Sequence, residues 1–99
     1  MLIYEVTATV DAGIAADYES YMTERHIPEI IATGYFAAAF FAKSGNTYRI
    51  GYHADTQDMF DAYIANEADR LREDFAKRFP TGIEVSRQVL DIVGLFPAP

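Results

Sequence analysis

One histidine is better placed for chemistry than any other residue in the chain. His26 falls between Met22 and Ile30 on a stripe of residues spaced by four, which is the spacing of one helix face. Because an imidazole titrates near neutral pH, a half-buried histidine can act as a general acid, a general base or a metal ligand. It can equally be a structural group that hydrogen-bonds to nearby backbone. His26 is therefore the candidate acid/base, with the structural role as its alternative.

A carboxylate occupies the apolar stripe of a second predicted helix. Glu67 lies between Phe60 and Leu71 on that stripe, and a carboxylate in such a place must be paired, hydrated or protonated. If both helices cover the same sheet face, Glu67 and His26 can meet, and the pair would orient the base or raise the pKa of the histidine. The alternative is that Glu67 extends to solvent at a break in the helix.

Tyrosines form the third group of candidates. Tyr4, Tyr48 and Tyr52 fall at strand positions that can share one side of a sheet, and Tyr63 falls on the second helix. Buried tyrosine hydroxyls need hydrogen-bond partners. Such residues usually belong to the core, but together they can line a cavity for a planar apolar molecule with one polar group. We predict a ligand site beside His26 formed by Tyr4, Tyr48, Tyr52, Tyr63 and Glu67.

Other kinds of site lack the residues they need. The two histidines, His26 and His53, fall on different predicted elements, and the chain has no cysteine. Metal sites are therefore not expected, and disulfides and thiolate catalysis are excluded. Neither a glycine-rich phosphate loop nor a Ser-His-Asp spacing is present. We expect no metal and no bound cofactor.

The charge of the chain disfavours two classes of partner. The sequence has 15 acidic and 8 basic residues, for a formal net charge of −7, and an acidic domain repels nucleic acids and anionic membrane surfaces. The basic residues of positions 70–78 alternate with acidic ones, as on a solvated helix face. No apolar run reaches the roughly 18 residues of a membrane span, and the N-terminus resembles a strand more than a targeting segment. We expect a cytoplasmic protein that binds neither nucleic acid nor membranes.

The elements that must position these residues are predicted from periodicity. The 99 residues suit one domain. Alternation predicts a first strand at 2–10, which ends at Asp11-Ala12-Gly13, and helical spacing then runs from Ile14 to Gly34. Pro28 lies within that helix, which should either kink near residues 24–28 or restart at the proline.

The second half of the chain contains three further predicted strands and a second predicted helix. A strand apolar on both faces at 35–43 and a returning strand at 47–53 should form a hairpin. A second helix should begin at a cap formed by Asp55 or Thr56, with a break near Asn66. A last strand is predicted at 83–92. The order βαββαβ indicates an α+β, ferredoxin-like fold, with both helices on one face of a four-stranded antiparallel sheet.

Such a sheet would carry more apolar surface than its own helices can cover. Each aromatic left exposed on the strand at 35–43 forgoes about 2 kcal/mol, and an exposed apolar patch usually marks an interface. We predict a homodimer through the open sheet faces, with the apolar tail 93–99 docking on the partner subunit. The alternative is that the tail covers its own sheet. The predicted interface comprises Tyr35, Phe41, Glu5, Arg49, Arg87, Leu95 and Phe96, with Glu5 cross-linking the strands or the subunits through Arg49 and Arg87.

One segment resembles a known family. His26-Ile27-Pro28-Glu29-Ile30-Ile31-Ala32-Thr33-Gly34-Tyr35-Phe36 resembles a bacterial domain-of-unknown-function family of the dimeric α/β-barrel (ferredoxin-like) superfamily. The likeness extends over nearly the whole chain, including Ile3-Tyr4-Glu5-Val6, Tyr48-Arg49-Ile50-Gly51-Tyr52 and Arg87, but segment 26–36 is its specific part. Where such sequences carry His-Ala-Pro, this chain has Glu67-Ala68-Asp69, which puts in doubt any function that rests on that histidine.

The resemblance implies a sheet-to-sheet dimer and no settled function. Wider relatives include cofactor-independent monooxygenases, isomerases, decarboxylases and stress-related binding proteins, which is analogy at the level of the fold. Three hypotheses remain open. The chain binds a small apolar or aromatic molecule between helices and sheet; or it is a cofactor-independent enzyme that uses His26 as acid/base; or it is a structural or regulatory dimer with a filled core. A structure with no void above about 100 Å³ beside His26 would argue against both the first and the second hypothesis and leave the third.

Overall fold

Four strands pair side by side in one antiparallel sheet. The computed structural model describes residues 1–99. The sheet has the spatial order β2-β3-β1-β4, and every neighbouring pair is antiparallel. The strands are β1 (Leu2–Val10), β2 (Ala38–Ser44), β3 (Thr47–Ala54) and β4 (Ile83–Asp91).

Two long helices cover one face of this sheet, and each contains a π-helical turn. Helix α1, residues 15–32, consists of Ala15–Tyr21, the π-helical turn Met22–His26 and Ile27–Ala32. Helix α2, residues 57–78, consists of Gln57–Tyr63, the π-helical turn Ile64–Ala68 and Asp69–Arg78. A short 3₁₀ turn, Ala12–Ile14, precedes α1. The predicted βαββαβ order and ferredoxin-like fold are confirmed.

The π-helical turns replace the two predicted interruptions. Helix α1 continues through Pro28, which lies at the start of its segment Ile27–Ala32. A proline at this place would crowd the carbonyl of Glu24 in a regular helix, and Glu24 lies within the wider π-helical turn. In α2 the π-helical turn includes Asn66, where a break was expected. Both helices therefore change pitch without ending.

The start and the facing of β2 differ from expectation. The strand begins at Ala38, not at Tyr35, and Tyr35 accepts a hydrogen bond from Nδ2 of Asn66 on α2 at 3.2 Å. Phe41 pairs with the buried Ile50, so it lies on the helix side, where its ring is 6.0 Å from that of Tyr18. Tyr35 and Phe41 therefore do not belong to the open face of the sheet. The prediction that they contribute to a dimer interface between open sheet faces is wrong.

Phe40 occupies the open face in their place. It pairs with Gly51 of β3, and its ring lies so close that a Cβ added at Gly51 would be 2.1 Å from a ring carbon. The ring is still about half exposed. An aromatic side chain lying across a strand glycine covers backbone that would otherwise be open to solvent.

The parity of β4 places Arg87 on the helix side. Arg87 pairs with Val6, and the next residue, Gln88, pairs with Glu5. Oε1 of Glu5 accepts hydrogen bonds from Nη2 of Arg49 at 2.7 Å and from Nε2 of Gln88 at 2.8 Å. The prediction that Glu5 bridges two arginines is therefore wrong, because a glutamine stands where the second arginine was expected.

The tail after β4 does not cover its own sheet. Residues 92–99 have no regular secondary structure, and the side chains of Val93 and Phe96 are 100% and 94% exposed. The alternative in which the tail folds back on its own subunit is therefore wrong. Together with Phe40 and Leu90 on the open face, the tail leaves apolar surface uncovered.

Candidate functional site

A cavity lies between the helices and the sheet, on the side where the ligand site was predicted. Its volume is about 40 Å³, which is room for one or a few water molecules. The wall is mostly apolar, and its polar or aromatic residues are Tyr4, Tyr18, His26, Tyr52, Tyr63, Arg72, Phe75 and Arg87. The void is smaller than the roughly 100 Å³ that either ligand hypothesis requires. A ligand can enter only if side chains of the wall move.

His26 reaches this wall because the π-helical turn of α1 carries it there. The residue is 9% exposed, its ring stacks on Tyr21 at 5.8 Å between centroids, and the ring of Phe75 is 5.4 Å away. Its Nδ1 atom is buried and has no hydrogen-bond partner. Burial, and secondarily the charge of Arg87, lower the pKa of His26 to about 4, while Asp74 acts in the opposite direction. His26 is therefore neutral at pH 7, and its Nδ1 atom is available to a hydrogen-bond partner.

The predicted pairing of His26 with Glu67 is wrong. Oε2 of Glu67 accepts a hydrogen bond from Nη2 of Arg70 at 2.7 Å, and Glu67 is not part of the cavity wall. The π-helical turn Ile64–Ala68 adds a residue to the helix. That addition rotates Glu67 away from the stripe that begins at Phe60.

Three tyrosines contribute hydroxyl groups near the cavity. Burial is the main cause that raises the pKa of Tyr18, Tyr52 and Tyr63, the last to about 12, and no hydrogen-bond partner contributes to these shifts. All three therefore remain protonated at neutral pH and can donate. The hydroxyl of Tyr4 is engaged differently, since it accepts a hydrogen bond from Nη2 of Arg72 at 3.0 Å.

Tyr48, also predicted for the ligand site, lies outside the wall. Its hydroxyl donates to Oε2 of Glu19 at 2.7 Å, and the same carboxylate oxygen accepts from Nζ of Lys43 at 2.9 Å. The hydrogen bond from Lys43 and then that from Tyr48 lower the pKa of Glu19. Tyr48 thus ties β3 to α1 at the edge of the core.

A second polar cluster lies on the open face of the sheet. Glu5 is 6% exposed although no helix covers it, and the hydrogen bonds from Gln88 and then Arg49 lower the pKa of its carboxyl. Nε2 of His53 is also buried there without a partner. Of the predicted interface residues, Glu5 and Arg49 are the pair that the structure brings together on this face.

Sequence reasoning missed several residues of the cavity wall. Tyr18 and Met22 carried a signal, because both fall on the helical stripe that contains His26. No such signal is present in the sequence for Arg72 and Arg87. The direction of Arg72 depends on how α2 is rotated about its axis, and that of Arg87 on which residues of β4 face the helices. No group of three histidine, aspartate or glutamate side chains is arranged to hold a metal ion. No helix is both long enough and apolar enough to cross a membrane.

The sequence matches one family model over nearly its whole length. Residues 1–93 match the model described as a domain of unknown function, DUF4286. The chain belongs to the DUF4286 family. The predicted membership of a domain-of-unknown-function family is thereby confirmed. A search of curated protein sequences finds no match for this DUF4286 chain.

Solved structures with the same fold include two described by a biochemical activity. The heme-degrader MhuD from Mycobacterium tuberculosis, with two hemes bound in its active site, aligns at a TM-score of 0.73 and 14% identity, covering 98% of this chain and 100% of that one. SnoaB, a cofactor-independent oxygenase from Streptomyces nogalater, aligns at a TM-score of 0.73 and 16% identity, covering 98% of each chain.

A third structure carries a description of its assembly. A dimeric ferredoxin-like protein from an uncultured marine organism aligns at a TM-score of 0.65 and 11% identity, covering 99% of this chain and 100% of that one. At such identities the three likenesses establish the ferredoxin-like fold and nothing finer.

Proposed function

We propose that this DUF4286 protein forms a homodimer in which each subunit binds a small apolar or aromatic molecule between helices and sheet. The observation that carries the proposal is the composition of the cavity wall. A neutral imidazole and protonated tyrosine hydroxyls interrupt an otherwise apolar lining, which is the usual make-up of a small-molecule site. MhuD and SnoaB, described as a heme-degrader and an oxygenase, support a small-molecule function for this fold.

The volume of the cavity limits what can bind and how. At about 40 Å³ the closed form excludes heme and even a single aromatic ring, so binding requires an opening. Met22 and His26 of the wall lie in the π-helical turn of α1, and π-helical turns are frequent at functional sites. Met22 is unbranched and adapts its shape readily. We propose that movement of Met22 and of the exposed arginine side chains enlarges the site.

Phenol, a planar molecule with one polar group, tests this proposal. Titration followed by NMR should shift the resonances of His26 and Tyr52 in a saturable way. Ala8, which lines the cavity and is 1% exposed, offers a matched pair of variants. Ala8→Val should fill the void and weaken binding, whereas Ala39→Val at an exposed position of β2 should not. The absence of saturable shifts, or equal binding by both variants, would contradict a ligand site here.

A catalytic role for His26 is the second candidate. The observation in its favour is a buried imidazole that is neutral at pH 7 and has an unpartnered Nδ1, since a general base must be unprotonated at the working pH. Keto–enol tautomerisation of phenylpyruvate, followed by ultraviolet absorbance, measures such a base directly. The wild type should exceed the uncatalysed rate, and His26→Gln should abolish the excess while the oligomeric state is retained. Equal rates for the two proteins would remove the enzyme hypothesis.

The small volume favours the third candidate, a structural dimer without a ligand. A structural dimer of this kind has a filled core, and a cavity of about 40 Å³ leaves the core nearly filled. The phenol titration separates this candidate from the first, because a protein with a purely structural core shows no saturable shift at His26.

A further inference from the structure

We infer that the molecule bound in the cavity carries a carboxylate, which Arg72 and Arg87 recognise; this inference rests on the proposed ligand function. It begins with the pairing of the basic residues. Six of the eight form ion pairs with a carboxylate of the chain. The two that remain, Arg72 and Arg87, both line the cavity between helices and sheet.

This distribution is unusual in a chain of net charge −7. With 15 acidic residues available, a solvated arginine readily finds a carboxylate partner. The cavity wall contains no aspartate and no glutamate. Two guanidinium groups without a carboxylate partner beside an apolar cavity therefore create a local positive potential.

The two arginines approach from different elements. Arg72 projects from α2, where its Nη2 donates to the hydroxyl of Tyr4 at 3.0 Å, and this bond fixes its guanidinium against the wall. Arg87 projects from the helix side of β4. Arg87 lines the same cavity as Arg72, and its charge acts to lower the pKa of both His26 and Tyr63. Two carboxylates outside the wall act on residues of the wall, since Asp74 acts to raise the pKa of His26 and Glu67 acts to raise that of Tyr63.

The chemistry of the wall selects a carboxylate with an apolar body. A guanidinium presents paired N–H donors that match the two oxygens of a carboxylate, and protonated tyrosine hydroxyls can donate to the same group. The apolar residues of the wall accept the rest of the molecule. A phosphate dianion fits less well, because a small apolar cavity cannot compensate its loss of hydration.

Benzoate and benzamide, which differ in charge and little in shape, test this inference with the full chain at pH 7. Calorimetric titration should show benzoate binding at least about tenfold more tightly than benzamide. Arg72→Gln and Arg87→Gln should each weaken benzoate about tenfold, since hydrogen bonds to charged groups contribute that much. Arg87→Lys should retain part of the affinity. Both arginines are exposed, so we expect these variants to fold.

Lys77→Gln is the matched control. It makes the same change in net charge on α2, but Lys77 pairs with Glu73 and does not line the cavity. It should leave benzoate binding unchanged, and an equal loss in Lys77→Gln would overturn the inference in favour of a general charge effect. Equal binding of benzoate and benzamide by every variant would overturn the inference that the ligand carries a carboxylate, while leaving the proposed ligand function intact. Binding of neither compound, together with a negative phenol titration, would overturn both.

Discussion

His26 makes the stability of the protein depend on pH. Its pKa falls from 6.5 to about 4 on folding, so between these values the unfolded chain binds a proton that the folded chain does not. The free energy of unfolding is therefore unaffected above pH 6.5 and decreases as the pH falls from there toward 4, by up to about 3 kcal/mol. Urea denaturation at pH 7, 6 and 5 should show this decrease, and His26→Gln should remove most of it.

The other histidine supplies the control for this experiment. His53→Gln removes an imidazole from the open face of the sheet and leaves His26 in place, so the pH dependence should persist. The range from pH 7 to 5 is chosen because carboxylates contribute mainly below it. A wild-type protein equally stable at pH 7 and pH 5 would show that His26 is hydrated or partnered in solution.

At the scale of the element, the contact between Phe40 and Gly51 ties β2 to β3 on the open face. A Cβ at position 51 would lie 2.1 Å from the Phe40 ring, so Gly51→Ala must displace that ring. Because Phe40 is half exposed and can turn outward, we expect a loss of about 1 kcal/mol, at the lower end for overpacking. Urea denaturation measures it. Gly13→Ala, with no atom within 4 Å of the added Cβ, is the matched control.

A double-mutant cycle distinguishes this contact from an intrinsic effect of alanine in the strand. In a Phe40→Ala background the added methyl group meets no ring, so Gly51→Ala should cost little or even stabilise the strand. An unchanged cost in that background would mean that the Phe40 ring is not the obstacle.

The start of α2 depends on one hydroxyl. Oγ1 of Thr56 accepts a hydrogen bond from the backbone N–H of Met59 at 3.1 Å, and it satisfies a donor that the first turn of the helix leaves free. Thr56→Ala should lower the free energy of unfolding by about 1 kcal/mol, while Thr56→Ser should retain most of it. Equal losses in the two variants would indicate that the methyl group, and not the hydroxyl, matters.

The sequence predicted those elements whose two faces differ in polarity. The alternation in β1 located the strand at Leu2–Val10, because each residue there is assigned to a face by its type. Residues 35–43 are apolar on both faces and carry no such signal. The register of pairing between β2 and β3 instead decides on which side of the sheet Phe40 and Phe41 lie. In that register Phe40 is opposite the small residue Gly51.

The cavity lies where the ligand site was expected, and four of the six residues predicted for that site, His26, Tyr4, Tyr52 and Tyr63, line it. Periodicity located His26 because the buried stripe of Tyr18, Met22, His26 and Ile30 keeps its spacing of four through the π-helical turn of α1. In α2 the π-helical turn contains Glu67. Regular helical spacing assigns this residue to the buried stripe, but in the structure it accepts a hydrogen bond from Arg70 instead. An added residue rotates the remainder of a helix by about 100°, and no composition signal announces it.

At the scale of the whole molecule, uncovered apolar surface is the main reason to expect a dimer. The exposed large apolar residues are concentrated on the open face and in the tail, where Phe40, Leu90, Leu95 and Phe96 are 48%, 40%, 64% and 94% exposed. On the same face Glu5 is buried and accepts from Arg49, whose side chain is 57% exposed, so a second layer would cover an ion pair that is open on one side. A two-fold contact between open faces would cover these groups in both subunits at once.

Light scattering at micromolar concentration tests the dimer and its location together. We expect the wild type to be a dimer and Phe40→Glu to be a monomer, because the substitution places a charge on the open face, where a two-fold contact would bury it. Ile64→Glu is the matched control, since Ile64 is also an exposed large apolar residue, at 37%, but lies on α2 away from the open face.

Removal of residues 94–99 should raise the dissociation constant of the dimer if the tail docks on the partner. A monomeric wild type would contradict the dimer, and a dimeric Phe40→Glu variant would move the interface to another surface. Because the cavity lies beneath the helices on the other side of the sheet, the monomeric variant should still bind benzoate, which makes assembly and ligand binding separable.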